Sequence, residues 1–186
     1  MRDFDRDEVR REGPWMVRAG QGPGTLVVLD PAGAAKHDEL PATWRELTAD
    51  HTVVWIRLPA GGSLSEVDDE LVTLARDGGT VDLVTSGPEA EAALRFATQH
   101  AEAVRSVLLV DPAAEDTRFE RTEADIADAL WEKRMRPALK ELTEAGVAVR
   151  VIAHSHADSE DRVPAPLPLG HPEVVTAVRH ALAEIA

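Results

Sequence analysis

The sequence predicts an α/β protein with a doubly wound, mostly parallel sheet flanked by helices. Four short apolar runs, TLVVL, TVVWI, SVLLV and VAVRVI, are continuous and rich in valine, as in strands that helices cover on both faces. Amphipathic segments with apolar residues at spacings of three and four alternate with these runs. Strands and helices that alternate over short connections are typical of a doubly wound, mostly parallel sheet with helices on both faces.

The apolar runs and their neighbours predict strands at residues 15–18, 25–29, 52–57, 81–84, 106–110 and 147–152, with a short strand at 164–169. The predicted helices are defined by apolar residues that share a stripe. The stripes are Leu64, Val67, Leu71 and Leu74; Ala90, Ala93, Leu94 and Ala97; and Val174, Val178, Leu182 and Ile185. Pro88 and Pro172 precede the last two stripes, and proline is favoured at the first position of a helix.

The chain of 186 residues is about the length of one domain. Residues 1–13 are charged throughout and predict a solvated tail, so that residues 14–186 form a single domain. The charged opening differs from a signal peptide, and no apolar run approaches the roughly 20 residues that span a bilayer. We therefore expect a cytoplasmic protein.

The composition excludes several classes of function. Lysine and arginine number 20 against 34 aspartate and glutamate residues, so the formal net charge is −14. A chain this acidic repels phosphate backbones and anionic lipids, which argues against nucleic-acid and membrane partners. The absence of cysteine excludes disulfides, thiolate catalysis and cysteine-ligated metals.

Several stretches, read in order, resemble the α/β-hydrolase superfamily. The most specific is VDLVTSGPEAEAALRFATQHAEAVRSVLLVDPA, which resembles the nucleophile strand, the turn called the nucleophile elbow, the following helix and the next strand. VRAGQGPGTLVVLDPAG, VVWIRLPAGGS, VRVIAHSHAD and LPLGHPE resemble other strands and loops of that family. The resemblance implies an α/β-hydrolase-like sheet over the length from about Val17 to the C-terminus.

The elbow departs from the Gly-x-Ser-x-Gly pattern of the family. Its five positions are Thr85, Ser86, Gly87, Pro88 and Glu89, so Gly87 occupies the position of the nucleophile. The next residue supplies a backbone N–H to the family's oxyanion hole, and Pro88 has none. Losing one such donor typically costs about 100- to 1,000-fold in rate. The resemblance therefore implies a degenerate elbow, in which Ser86 is the alternative, shifted nucleophile.

The second oxyanion element is altered as well. Asp30 and Pro31 replace the family's His-Gly motif, and Arg57 replaces an aspartate after the next strand. These two strands are neighbours in the family's sheet, so Asp30 and Arg57 are expected at the same edge. They would form either an ion pair that joins two loops or a polar clamp for a ligand carboxylate or amide.

The acid and base positions of the family are closer to their pattern. Asp158 corresponds to the acid and His171 to the catalytic histidine, and an acid that orients a histidine is what general-base chemistry requires. Asp111 is a second position at which some members of the family carry the acid. The alternative is that His171 caps or precedes the last helix and that Asp158 is a solvated loop residue.

His154, His156 and Asp158 resemble a His-x-His-x-Asp metal signature, but Ser159 replaces the histidine that should follow. We therefore predict no metal site and no cofactor. No Gly-x-Gly-x-x-Gly or P-loop pattern follows a predicted strand, which leaves nucleotide binding without a motif.

The family's cap over the active site is reduced or absent in this chain. Between Asp111 and Gly146, apolar residues predict one or two helices with a break at Pro137, and one helix is needed simply to cross back over the sheet. Apolar surface that a cap would cover could contact a second copy of the chain, for which Phe119 and Trp131 are candidates.

We therefore predict a non-hydrolytic binding or interaction protein with an α/β-hydrolase fold, whose partner is a small molecule or a protein, with a homodimer as one option. The alternative is a hydrolase or proton-transfer enzyme in which His171 and Asp158 act as the base on a small substrate. The sequence leaves the question of catalysis open.

Overall fold

A computed structural model of the chain describes residues 14–31, 38–58, 64, 67–87, 89–114, 121–153 and 166–185. The strands are Met16–Ala19 (β1), Gly24–Asp30 (β2), His51–Arg57 (β3), Val81–Ser86 (β4), Val104–Val110 (β5) and Ala148–Ala153 (β6). The α-helices are Asp68–Gly78 (α1), Glu89–Gln99 (α2), Arg121–Glu144 (α3) and Pro172–Ile185 (α4), and a 3-10 helix covers Ala42–Ala49. The predicted tail lies outside the described residues.

The sheet confirms the predicted fold class. Its strand order is β1-β3-β2-β4-β5-β6, in which β1 pairs antiparallel with β3 and the other neighbours are parallel. The central strands β2, β3 and β4 are buried along nearly their whole length, which explains why their sequences are continuous apolar runs rather than alternating ones.

Each face of the sheet carries its own hydrophobic core. On one face, α1, α2 and α3 cover residues such as Val27 and Leu83. On the other, the 3-10 helix, residues 167–169 and α4 cover residues such as Val28 and Val84. Adjacent residues of a strand contribute to opposite faces, as the pleat requires. The helices thus leave the carboxyl ends of the five parallel strands β2 to β6 at one edge, where ligands bind in open α/β sheets.

Two turns at the amino end of the sheet explain the spaced glycines between β1 and β2. A Cβ atom on Gly20 would lie 2.2 Å from the carbonyl oxygen of His51, and one on Gly22 would lie 2.0 Å from that of Asp50. Only glycine allows the backbones to approach this closely. The glycines therefore have a packing role.

Two expectations about local structure are wrong, and one element was not predicted. Leu167 and Pro168 have no regular structure and Leu169 begins a turn, so the predicted strand at 164–169 is not formed within the described residues. Helix α3 continues through Pro137 without a break, because Pro137 lies on the exposed side, where water can bond the carbonyl that it leaves free. The 3-10 helix was not predicted, since its sequence lacks a helical apolar stripe.

The connection between β5 and β6 contains α3, which packs against α2 and β6, and the cap of the fold is correspondingly reduced or absent. Trp131 on this helix is 5% exposed and belongs to the hydrophobic core of the chain, so its side chain is not at the surface where a second copy could contact it. Phe119 lies outside the described residues. No helix in the described parts of the chain is both long enough and apolar enough to cross a membrane.

Candidate functional site

The carboxyl ends of β2, β3, β4 and β5 bring the sequence-predicted polar residues to one edge of the sheet. Asp30 ends β2, Arg57 ends β3, Ser86 ends β4 and Asp111 follows β5. All four side chains are buried, with exposures of 0%, 8%, 2% and 5%. The topology therefore gathers these residues as expected, but beneath the molecular surface.

Gly87 forms the turn between β4 and α2. Its φ of 60° lies in the left-handed region, where residues with a Cβ are strained. Its N–H donates to the carbonyl of Val110 at 3.0 Å, and its own carbonyl accepts the N–H of Ala90 at 3.1 Å. This strand, single left-handed residue and helix have the shape of a nucleophile elbow, and at the nucleophile position the elbow carries only a hydrogen atom.

The space in front of the elbow is occupied by another part of the chain. A Cβ on Gly87 would lie 3.2 Å from Cγ of Pro166 and 3.8 Å from the carbonyl oxygen of Ala114. Carbon atoms that are not bonded are optimally about 3.5–4.0 Å apart, so a side chain at this position would push the proline ring away. At this position the elbow therefore has no side chain, and a Cβ there would contact Pro166 closely.

Pro166 begins a segment, residues 166–171, which we call the strap. The strap is held by side chains that are distant in sequence. The indole Nε1 of Trp44 donates to the carbonyl of Leu169 at 2.7 Å, and Oγ1 of Thr43 donates to that of Gly170 at 2.9 Å. Leu167 and Leu169 are 5% and 1% exposed. The strap is thus a packed element despite its lack of regular structure.

Asp111 fixes the first part of the strap. Its Oδ2 accepts the N–H of Leu167 at 2.7 Å, in a buried hydrogen bond that spans 56 positions of the sequence. The residue has φ 44° and is the only described residue other than glycine with a positive φ. Aspartate tolerates this conformation better than most residues. At the alternative acid position, then, the carboxylate binds a backbone N–H.

His171 caps α4. Its backbone carbonyl accepts the N–H of Val175 at 3.2 Å, and its Nδ1 accepts that of Glu173 at 3.3 Å. Nδ1 of His171 therefore faces the backbone at the start of α4. In a hydrolase triad, Nδ1 instead carries a proton and donates it to the acid. The geometry corresponds to the capping interpretation of His171 rather than to an oriented base.

Asp30 and Arg57 lie opposite each other in the β2–β3 register, as predicted. Oδ2 of Asp30 accepts a hydrogen bond from Nε1 of Trp55 at 2.8 Å, and both residues are completely buried. The indole of Trp55 also contacts that of Trp44 edge to face, with ring centroids 5.1 Å apart. The carboxylate is therefore part of the network beneath the strap.

Other predicted site residues are less informative. Ser86 is buried at the end of β4, and its neighbour Thr85 donates from Oγ1 to the carbonyl of Leu29 at 3.0 Å. Pro88, Asp158, His154 and His156 lie outside the described residues. Within the described parts of the chain, no group of three or more histidine, aspartate and glutamate residues could hold a metal ion.

Glu89, the first residue of α2, is partly buried beside the elbow. Burial raises the pKa of its carboxyl above the ordinary value of 4.5, and the charge of Arg95 lowers it by a smaller amount. A partly buried carboxylate beside the elbow would also repel a developing oxyanion. This charge is unfavourable for the chemistry of the family.

Sequence reasoning missed the residues that close the site. Trp44 and Thr43 contact the strap across more than 120 positions of the sequence, and Pro166 meets Gly87 across the sheet edge. No local pattern contains this information. The one available signal was Trp44 itself, a tryptophan in a segment for which no element was predicted.

Comparisons with known proteins were made by sequence and by structure. The sequence matches no known protein-family model and no curated protein. Its structure is similar to that of a monoacylglycerol lipase of Paleococcus ferrophilus, with 11% identity, a TM-score of 0.56, and coverage of 92% of this chain and 99% of the lipase.

Two further structures match with TM-scores of 0.40. A carboxylesterase of Nitrososphaera gargenis is 15% identical and is matched over 92% of this chain and 68% of its own. A hydrolase of Oleispira antarctica is 14% identical, and the match covers 75% of this chain and 64% of the hydrolase. The fold assignment depends on the lipase, on the order of the strands and on the elbow between β4 and α2. This chain has an α/β-hydrolase fold.

Proposed function

We propose that this protein is a non-hydrolytic member of the α/β-hydrolase fold that binds a ligand or a protein partner. The observation that carries the proposal is the elbow: Gly87 has no side chain, and the ring of Pro166 lies 3.2 Å from the place of a Cβ. A covalent mechanism needs a nucleophile with a base in reach, and neither exists at this position.

Two further features support the proposal. Pro88 has no N–H with which to bind an oxyanion. Nδ1 of His171, which in the family's triad would donate to the acid, instead accepts the N–H of Glu173 at the start of α4. The nucleophile, one oxyanion donor and the oriented base of the family would each have to be replaced before the family's reaction could proceed.

The test is the hydrolysis of short and medium p-nitrophenyl esters by the wild type, by His171→Ala and by His180→Ala. His180 is an exposed histidine on the same helix and serves as the matched control. We expect all three proteins to stay at the buffer rate. Hydrolysis by the wild type and by His180→Ala but not by His171→Ala would overturn the proposal and support the enzyme with a His171 base.

A further inference from the structure

An apolar space beside the elbow is filled by the strap. Leu167 and Leu169 belong to the hydrophobic cluster that also contains Trp44, Val84 and Val110. Both leucines are more than nine-tenths buried although no helix or strand includes them. Leu167 directly follows Pro166, whose ring lies against Gly87 at the carboxyl edge of the sheet, where ligands of such sheets bind. Two leucine side chains on an irregular segment thus belong to the hydrophobic core beside this edge.

We propose that the strap is an internal ligand: it fills an apolar binding pocket at the carboxyl edge, and Asp111 holds its first half in place. The external ligand would be a small, uncharged, apolar molecule that replaces the side chain of Leu167. The proposal rests on the proposed binding function, and it adds the location of the pocket, the class of ligand and the control of access.

The two halves of the strap are held by different kinds of bond. The first half depends on the hydrogen bond from Leu167 N to the Asp111 carboxylate, at 2.7 Å. The second half is held by neutral donors, Trp44 at the carbonyl of Leu169 and Thr43 at that of Gly170. Loss of the Asp111 bond would therefore release residues 166–167 while residues 169–171 stay attached to the 3-10 helix and α4.

Release of the first half would uncover the elbow. Pro166 is the residue whose ring lies in front of Gly87, and it directly precedes Leu167. When the two move together, the backbone of Gly87 and the apolar space of Leu167 open at the same time. The hydrogen bond to a charged acceptor is stronger than one between neutral groups, so Asp111 is the contact that controls this opening.

The test compares Asp111→Gly with Asp111→Asn. Glycine and asparagine both tolerate the positive φ at this position, whereas only asparagine keeps an oxygen that can accept the N–H of Leu167. We expect the amide of Leu167 to exchange with deuterium at least about tenfold faster in Asp111→Gly than in Asp111→Asn. The amide of Val175 in α4 should exchange equally in both.

The second readout is saturable binding of benzene, an uncharged apolar probe close in size to a leucine side chain, which we expect for Asp111→Gly and not for Asp111→Asn. Equal exchange of Leu167 in the two variants would overturn the role of Asp111. Fast exchange of Leu167 without benzene binding would overturn the proposal that the strap is an internal ligand.

A measurement on the wild type keeps the proposal testable if Asp111→Gly fails to fold. Under native conditions, the amide of Leu167 should exchange through a local opening that low urea concentrations do not accelerate, and faster than that of Val107 in β5. Exchange of Leu167 only through global unfolding would overturn the proposal. Ester hydrolysis that depends on His171 would instead overturn the proposed function and leave these exchange rates unaffected.

Discussion

Two buried carboxylates on the neighbouring strands β4 and β5, at opposite ends of the sheet, bind in different ways. Asp82, at the amino end, accepts hydrogen bonds from Arg105 at 3.0 and 2.5 Å and from Ser106 at 2.6 Å, all on the adjacent strand. Asp111, at the carboxyl end, accepts the backbone N–H of a strap residue 56 positions away.

The difference separates a structural end of the sheet from an adaptable one. The Asp82 cluster joins two strands that already pair, and its charge is compensated within the sheet by Arg105. Asp111 instead holds an irregular segment, from a strained backbone conformation. Residues held in sparsely populated backbone conformations cluster at active sites, ligand clamps and switch regions.

Removing the carboxylate at the amino end of the sheet should destabilise the protein more than the changes at the carboxyl end. Asp82→Ala leaves the guanidinium of Arg105 without its carboxylate, and we expect a loss of about 3 kcal/mol in the free energy of unfolding. The value is at the low end for buried pairs because the Arg105 side chain is 34% exposed. Urea unfolding measures it, with Glu141→Ala, an exposed carboxylate on α3, as the control. A loss below about 1 kcal/mol would contradict the structural role of Asp82.

The carboxyl end can be tested by restoring the hydroxyl of the elbow. Gly87→Ser places a Cβ in the left-handed region and against Pro166, and we expect a destabilisation of about 2 kcal/mol without any gain in ester hydrolysis. Thermal unfolding and p-nitrophenyl ester assays measure the two effects. In the double variant, Pro166→Gly should recover the part of the lost stability that the contact with the proline ring causes. Esterase activity in the single variant would show that the elbow has more space than its geometry indicates.

The capping role of His171 predicts a smaller effect. His171→Ala removes the acceptor for the N–H of Glu173, and we expect a loss of about 1 kcal/mol in stability. His171→Asn should recover most of it, because asparagine is a preferred capping residue. Chemical denaturation of the wild type, His171→Ala and His171→Asn measures these differences in the free energy of unfolding. If asparagine is no better than alanine, the histidine has a role other than capping.

The smallest effect concerns Glu89. A carboxyl whose pKa is raised in the folded state binds its proton more tightly there than in the unfolded state, so its contribution to stability falls as the pH rises above about 4.5. Glu89→Gln should therefore increase the free energy of unfolding at pH 7 by less than about 0.5 kcal/mol. Thermal unfolding at pH 7 and at pH 4 measures the difference as a small shift in melting temperature. The difference should vanish near pH 4. An equal difference at both pH values would contradict the assignment to burial.

The strands were predictable because each lies in a continuous apolar run between turns. Such runs are typical of parallel strands that are buried on both faces of the sheet. The turn at Gly87 and the start of α4 after His171 were also predictable, since glycine permits positive φ and proline favours the first helical position. The sequence-based predictions were wrong where side chains distant in sequence hold the backbone. Residues 167–169 form no strand because Asp111 and Trp44 bind their polar groups.

Local patterns and the identity of single residues were enough to predict the order of the elements, the parallel sheet and a glycine at the nucleophile position of the elbow. Three contacts became visible only in the folded chain: Pro166 lies against the elbow, Asp111 binds the strap, and His171 binds the backbone at the start of α4. Each of the first two depends on a contact between residues more than 50 positions apart, and the third depends on the direction of a side chain. Local propensity carries no information about such contacts, because they form only when the sheet has brought the ends of its strands together.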